Sequence, residues 1–155
     1  MRFEIAKFKS FNGHEGLGFN ATLIVDGAKG CDAIDDGNGG GVTCYWASQE
    51  VKNKVLGHIK TLPLEPLAPD APQWERDMWP NGMKHDLDSF LTKLVSDYEN
   101  DKRFRRLCKA KTVYRLAGDK AGQYRVLNAP YEPTGRGYLS KLEQKPEEVL
   151  NEKYA

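Results

Sequence analysis

An alternation of apolar and polar residues, interrupted by turn-forming sequences, constrains the fold of the first 47 residues more than any other feature of the chain. Four apolar residues recur at every second position: Phe19, Ala21, Leu23 and Val25. This spacing is typical of a strand with one buried face, because successive side chains of a strand point to opposite sides of the sheet. Asp26-Gly27 and the glycine-rich run Asp36–Gly41 have the composition of hairpin turns. We therefore expect an antiparallel β-meander of about four strands.

Two helices are predicted after the meander. The first begins at Ser48, a residue type that caps helix N-termini, and Pro63 ends it. Its apolar residues form a stripe suited to packing on the sheet: Val51, Val55, Leu56, Ile59 and Leu62. The longer helix begins near Asp86 and continues to Leu107, with a break expected near Asn100. Its apolar face holds six residues: Leu87, Phe90, Leu91, Leu94, Val95 and Tyr98.

The remaining segments complete an α+β fold. Four prolines, at positions 63, 66, 69 and 72, predict an extended, mostly exposed connector over 63–72. A β-hairpin is predicted from Lys111–Ala117 and Gln123–Asn128, and a helical tail from Tyr138 to Tyr154, with Pro146 in a first turn. We expect a single domain over 1–155. A possible sub-division separates the sheet and helix of 1–62 from the helix, hairpin and tail of 73–155.

Composition narrows the classes of protein to consider. Hydrophobic residues make up 39% and charged residues 29% of the chain, which is a globular balance. No apolar run approaches the ~20 residues of a membrane span, and the N-terminal residues lack a signal-peptide core. The three cysteines form no CxxC pair, so buried thiols in a reducing cytoplasm are expected. We expect a cytoplasmic protein without a membrane partner.

The usual cofactor motifs are missing from the sequence. The Asp36–Gly41 cluster is followed by a predicted strand, whereas a nucleotide cradle needs a helix there. The acidic residues around it do not fit the spacing of an EF-hand calcium loop. The three histidines have no partner at metal-ligand spacing, and no GxSxG nucleophile motif occurs. We therefore predict no cofactor, no resident metal and no catalytic residue.

Asp86-Leu87-Asp88 is the best candidate for metal chemistry, because paired carboxylates are the raw material of a magnesium site. The stretch from His85 to Leu94 resembles the DxDN segment of RusA-type Holliday-junction resolvases. It departs from that family at Ser89, where the family has asparagine, and at Lys93, which is shifted by one position. The resemblance implies, as an alternative function, a metal-dependent nuclease that uses Asp86, Asp88 and Asp97. The competing interpretation is that aspartates at a helix start cap it and favour its dipole.

Charge is segregated along the chain. Residues 1–100 have a net charge of −5 and residues 101–155 a net charge of +6. The window 101–125 holds nine basic and two acidic residues. Eight of the basic residues form the predicted binding site: Lys102, Arg103, Arg105, Arg106, Lys109, Lys111, Arg115 and Arg125.

Three interpretations of this basic region stay open. It is a solvated helix end whose charges complement the helix dipole, a surface for nucleic acid, or a surface for an acidic protein. Tyr114 and Tyr124 lie in the predicted hairpin and would suit stacking on bases. Head-to-tail assembly of a homo-oligomer is also possible for a dipolar chain.

The chain also resembles, in a general way, uncharacterised small accessory proteins of bacteriophages and prophages. The resemblance lies in Gly18–Leu23, Asp36–Gly41 and Gln123–Tyr131. It implies a viral accessory or inhibitor protein that acts in the host cytoplasm, for example by blocking a host defence complex. Together with the segregated charge, it favours a non-enzymatic binding protein that engages a charged macromolecular partner. The alternatives are the metal-dependent nuclease and a plain nucleic-acid-binding protein.

Overall fold

A computed structural model describes residues 1–154 and has the expected α+β fold. The chain divides into two compact units, the first being Met1–Ser96 and the second beginning at Asp97. Each unit contains its own sheet, of four strands in the first and three in the second.

The first sheet confirms the predicted meander. Its strands β1 to β4 are neighbours in chain order and all antiparallel. Their bounds are Phe3–Asn12, Leu17–Val25, Ala28–Asp35 and Thr43–Trp46. Asp26 and Gly27 join β2 to β3 with φ angles of +50° and +85°, the left-handed conformations that a tight two-residue hairpin turn needs.

The core of the first unit lies between this sheet and two helices. Helix α1, Gln49–Thr61, begins as predicted, because the Ser48 side chain accepts a hydrogen bond from the Val51 N–H at 3.2 Å. Helix α3, Leu87–Cys108, contributes its first three turns to the same core. The fully or largely buried residues of this core come from all these elements: Phe19, Ala21, Leu23, Val25, Cys31, Ala33, Val55, Ile59, Phe90, Leu91 and Val95.

Helix α3 is continuous, so the break predicted near Asn100 is wrong. A single asparagine inside a helix costs less than about 1 kcal/mol relative to alanine, too little to interrupt a helix that is held by packing. Its start is fixed by a reciprocal cap. The Ser89 N–H donates to the Asp86 carboxylate at 2.7 Å, and the Asp86 N–H donates to the Ser89 hydroxyl at 3.0 Å.

The proline-rich segment 63–72 is an irregular and mostly exposed connector, as predicted. It leads into a short helix, α2, Gln73–Met78. The boundary between the two units lies inside α3, however, and not at this connector. Prolines prevent regular structure locally, but they do not determine where a compact unit ends. That boundary depends on packing, and the first part of α3 packs into the core of the first unit.

The second unit contains the predicted hairpin and a third strand. Strand β5, Thr112–Leu116, is the centre of its sheet, between β6, Arg125–Leu127, and β7, Pro146–Val149. Between β6 and β7 the chain makes a wide helical turn over Tyr131–Gly135 and then the short helix α4, Arg136–Ser140.

The predicted helical tail over 138–154 is wrong for its middle part, because β7 pairs antiparallel with β5. Only α5, Leu150–Tyr154, is helical at the end. The open edge of β5 supplies backbone partners that outweigh the helix propensity of a Glu-rich segment, and Pro146 stands first in the strand, where no ladder N–H is needed.

Within residues 1–154 there is no helix whose length and apolar content would let it cross a bilayer.

Candidate binding surface

The end of α3 is held by one buried side chain, Asn151. Its carbonyl oxygen accepts a hydrogen bond from the Val113 N–H at 2.7 Å. Its amide nitrogen donates to the carbonyl oxygens of Cys108 at 3.1 Å and Lys111 at 2.7 Å. A buried backbone group without a partner is costly, and Asn151 provides partners for three of them. The segment that carries the predicted basic site is therefore rigidly attached to the second unit.

Two of the predicted site arginines are paired with nearby aspartates. Arg105 Nε lies 2.7 Å from a carboxylate oxygen of Asp101, one helical turn earlier. Arg125 donates two hydrogen bonds to Asp119, at 2.9 and 2.8 Å. These hydrogen bonds from Arg125, followed by one from the Leu116 N–H, lower the pKa of Asp119 to about 2. The hydrogen bond from Arg105 likewise lowers the pKa of Asp101.

A third site arginine, Arg115, is neutralised by the unexpected strand β7. Its guanidinium lies 3.0 Å from Glu147 and 3.7 Å from Glu148, and only 22% of its side chain is exposed. Both glutamates are distant in sequence. Asp101 and Asp119 are the acids of the window 101–125, so the local sequence alone overstates the unpaired charge of this region. Arg115 stabilises the pairing of β5 with β7.

The other five predicted site residues form no ion pair with any residue in the described part of the chain: Lys102, Arg103, Arg106, Lys109 and Lys111. Four of them are exposed, and three of these four follow one another at i, i+4 and i+7 on α3 and the turn after it. We call Lys102, Arg106 and Lys109 the cationic row, which is about 10 Å long at the helical rise. Arg103 instead lies over the Phe104 ring, 4.8 Å from its centroid.

The aromatic residues near the cationic row are engaged inside the second unit. Phe104 stacks edge to face on Tyr124, with ring centroids 5.0 Å apart. The Tyr124 hydroxyl donates to Glu148 at 3.0 Å, and Tyr114 is buried. The stacking platform that single-stranded nucleic acid requires is therefore not offered by these rings.

The three aspartates of the alternative nuclease site are not brought together. Asp86 caps α3, and Asp88 accepts a hydrogen bond from the Val42 N–H at 2.6 Å, which anchors the end of the glycine-rich turn. Asp97 begins the second unit. Across residues 1–154, no group of three or more histidine, cysteine, aspartate or glutamate side chains is arranged to hold a metal ion.

The glycine cluster is a turn between β3 and β4, as the sequence predicts. Gly37, Gly39 and Gly41 all have φ angles near +70°, and the Glu15 N–H donates to the Gly37 carbonyl at 2.9 Å. Strand β4 follows the cluster in the chain, which differs from the strand, loop and helix order of a nucleotide cradle. All three cysteines are free thiols, of which Cys31 is buried.

Sequence reasoning missed Asn151 and the two glutamates that pair with Arg115. No local pattern marks them, because each acts on a segment about 30 to 40 residues earlier in the chain. Comparison of the chain with protein-family models, with curated proteins and with solved structures finds no match.

Proposed function

We propose that this chain is a non-enzymatic binding protein that engages an acidic protein surface through the cationic row. The observation that supports the proposal is that three exposed cations, which form no ion pair within residues 1–154, stand on a helix end that Asn151 holds in place. Arg105, Arg115 and Arg125 are paired with acids, so the row is the regularly spaced part of the charge that has no ion pair within residues 1–154.

Electrostatics explains why such a row favours a partner. Two like charges about 6 Å apart in water repel by about 0.7 kcal/mol, a cost that salt screens. Carboxylates of a partner turn this repulsion into attraction and also speed the encounter. The row therefore contributes more to specificity and association rate than to the stability of the free protein.

A protein partner is favoured over nucleic acid for two reasons. The neighbouring rings are already packed, and the exposed carboxylate of Glu99 lies three residues before Lys102, on the same side of the helix. A phosphate backbone passing along the row would meet this carboxylate. An acidic protein surface, in which lysines and arginines are interspersed, is able to pair with both signs. This role agrees with the accessory or inhibitor function in the cytoplasm that the bacteriophage resemblance implies.

The test compares two charge-reversed proteins of equal net charge. In the first, Lys102→Glu and Arg106→Glu disrupt the row. In the control, Lys120→Glu and Lys141→Glu change exposed lysines of the same unit that have no ion pair within residues 1–154. Both are used as bait in lysates of the source cells, with and without nuclease treatment, and the unfolding midpoints are compared first.

We expect the unchanged protein and the control to retain a common partner that the row variant loses, with nuclease having no effect. Retention by the row variant at low salt would contradict the proposal. Loss of the partner on nuclease treatment would show that nucleic acid is bound instead.

A further inference from the structure

A second surface, in the first unit, has the opposite character. The segment from Glu65 to Met83 is closed into a loop by a pair of backbone hydrogen bonds between its end residues, of 2.8 and 2.9 Å. Gly82 makes this closure possible, because its φ is +100° and a Cβ there would lie 2.6 Å from the Glu65 carbonyl oxygen. The loop is thus a preformed element and not a flexible connector.

Helix α2 stands in this loop with an uncovered apolar face. Trp74 and Met78 are four residues apart, on the same side of the helix, and each is 60% exposed. None of the residues of α2 is buried. The helix is nevertheless fixed, because Arg76 donates hydrogen bonds to the carbonyl oxygens of Ala71 at 2.8 Å and Pro69 at 2.7 Å.

A cleft of about 650 Å³ adjoins this face. Its apolar lining comes mainly from Leu64, Met78, Trp79 and Met83, and Leu64 is 41% exposed. Clefts of this size take small ligands or anchoring side chains. Methionine and tryptophan are also the residues that adapt to, and anchor, partner segments at interfaces. An exposed apolar cluster of this kind, on a fixed backbone, is a mark of an interaction site.

The charges at the cleft indicate which charge a partner should carry. Two acids line the cleft, Glu65 and Asp86, and three more belong to the loop from Glu65 to Met83: Asp70, Glu75 and Asp77. None of the five forms an ion pair with the residues that the structure describes. Two cations belong to the same segment. Arg76 is occupied by backbone carbonyls, and Lys84 lies on the rim of the cleft. The frame of the apolar cleft is therefore predominantly negative.

We propose that this cleft docks a basic amphipathic segment of a partner protein. Apolar side chains of the segment enter the cleft and cover Trp74 and Met78, while its lysines and arginines pair with the acidic frame. The proposal concerns a different surface, of opposite charge, from the cationic row and does not rest on the function proposed above.

Two other occupants fit less well. An anionic lipid surface would be repelled by the acidic frame. A second copy of this chain would have to offer its own basic region. There, however, Phe104 is stacked on Tyr124 and Leu107 is half-buried, so the helical stretch 102–109 presents no fully exposed apolar side chain to insert.

The first experiment uses labelled synthetic peptides and fluorescence anisotropy at physiological ionic strength. The main probe is an amphipathic Leu/Lys peptide about four helical turns long. The comparison probes are a Leu/Glu peptide with the same apolar face and a Lys/Ser peptide with the same charge. We expect saturable binding of the Leu/Lys peptide alone. Equal binding of the Leu/Glu or the Lys/Ser peptide would overturn the proposal.

Variants of the cleft identify the site. Replacing Trp74 and Met78 by serine is expected to weaken binding of the Leu/Lys peptide at least about tenfold, the usual effect of removing interface anchors. The matched control replaces Leu17 and Tyr45, which are 72% and 62% exposed elsewhere in the same unit, by serine and should bind like the unchanged protein. Equal affinity of both double variants would overturn the proposal.

The closure of the loop provides an independent test. Gly82→Ala should weaken peptide binding several-fold, because it disturbs the bridge that preforms the cleft. Gly57→Ala is the control, since a Cβ there meets nothing within 4 Å. Sedimentation velocity and flotation with anionic vesicles complete the experiment. Self-association or vesicle binding that is lost in the Trp74→Ser/Met78→Ser protein would show that another occupant covers this face, and the proposal would fall.

Discussion

Asn151 and Gly135 show how single residues fix the second unit. Asn151 gives three backbone groups their hydrogen-bond partners at the end of α3 and the start of β5. Gly135 passes so close to β5 that a Cβ would lie 1.8 Å from the hydroxyl oxygen of buried Thr112. That hydroxyl in turn donates to the Ala129 carbonyl at 2.9 Å. Both residues act through close contact with backbone or buried atoms, where a small change has a large effect.

Gly135→Ala should therefore destabilise the protein, by about 2 kcal/mol, because overpacking at a buried contact forces the backbone apart. Gly137→Ala, two residues later, is the matched control, since a Cβ there meets nothing within 4 Å. Urea unfolding of the two variants measures the difference. Equal stability of both would show that Thr112 moves aside without cost.

The pKa of Asp119 is expected to depend on Arg125. It lies at about 2, below the ordinary value of 3.8, mainly because of the hydrogen bonds from the guanidinium. A carboxyl group whose pKa is lower in the folded state stabilises the fold above its unfolded pKa. That contribution is lost as the pH falls from about 4 through about 2, and it is small because the pair faces solvent.

In Arg125→Gln the pKa of Asp119 should rise towards 3.8 and remain below it, since the Leu116 N–H still donates to the carboxylate. An NMR titration of the Asp119 carboxyl carbon gives the value, with Lys141→Gln as the control. An unchanged pKa in Arg125→Gln would mean that the backbone hydrogen bond alone sets it.

At the scale of elements, local sequence patterns were sufficient to predict a helix or strand wherever residues close in sequence are also close in space. The meander, helix α1 with its Ser48 cap and the β5–β6 hairpin all follow from alternation, helical spacing and turn residues. Strand β7 did not, because it pairs with a strand about 30 residues earlier, and nothing in Pro146–Val149 itself distinguishes it from the start of a helix. The same long-range pairing also brings Glu147 and Glu148 to Arg115, which is therefore not available to a partner.

Arg115 is consequently expected to behave as a structural residue. Arg115→Gln should lower the free energy of unfolding by up to about 1 kcal/mol, because it removes two ion pairs between β5 and β7 from a mostly covered side chain. Arg106→Gln, in the exposed cationic row, should leave stability within about 0.5 kcal/mol of the unchanged protein. Thermal unfolding at low and high salt compares the two. The proposed role of Arg115 fails if both variants unfold alike.

For the molecule as a whole, the sequence established the segregation of charge but not the surfaces that use it. The cationic row and the acid-framed cleft lie in different units, and each combines residues whose exposure follows only from what else is paired or packed. The sequence showed nine basic residues in one window; within residues 1–154, Arg105, Arg115 and Arg125 are paired with acids, and the three of the cationic row are exposed without an ion pair.

Because each unit has its own sheet and its own buried residues, a defect in one unit should speed amide exchange mainly in that unit. Asn151→Ala leaves buried backbone groups without partners, which costs about 1 to 3 kcal/mol, whereas Asn128→Ala changes an exposed residue. Hydrogen exchange should show faster exchange of amides over 97–154 in the first variant, with the strand amides of 17–35 protected as before. If the strands of the first unit lost protection to the same extent, the two units would be unfolding together.

Asn151 also sets an order of events during synthesis of the chain. All residues of the first unit have been synthesised once the chain reaches Ser96. The end of α3, in contrast, gains its hydrogen bonds only from Asn151, which lies 38 to 43 residues after the groups that it binds. While those residues are still inside the ribosome, the basic stretch is exposed on a helix whose end has no partner. A nascent chain of this protein would carry its positive charge on an unanchored helix end until Asn151 has left the ribosome. Stalling or truncation in this interval would leave the first unit folded and the second one open.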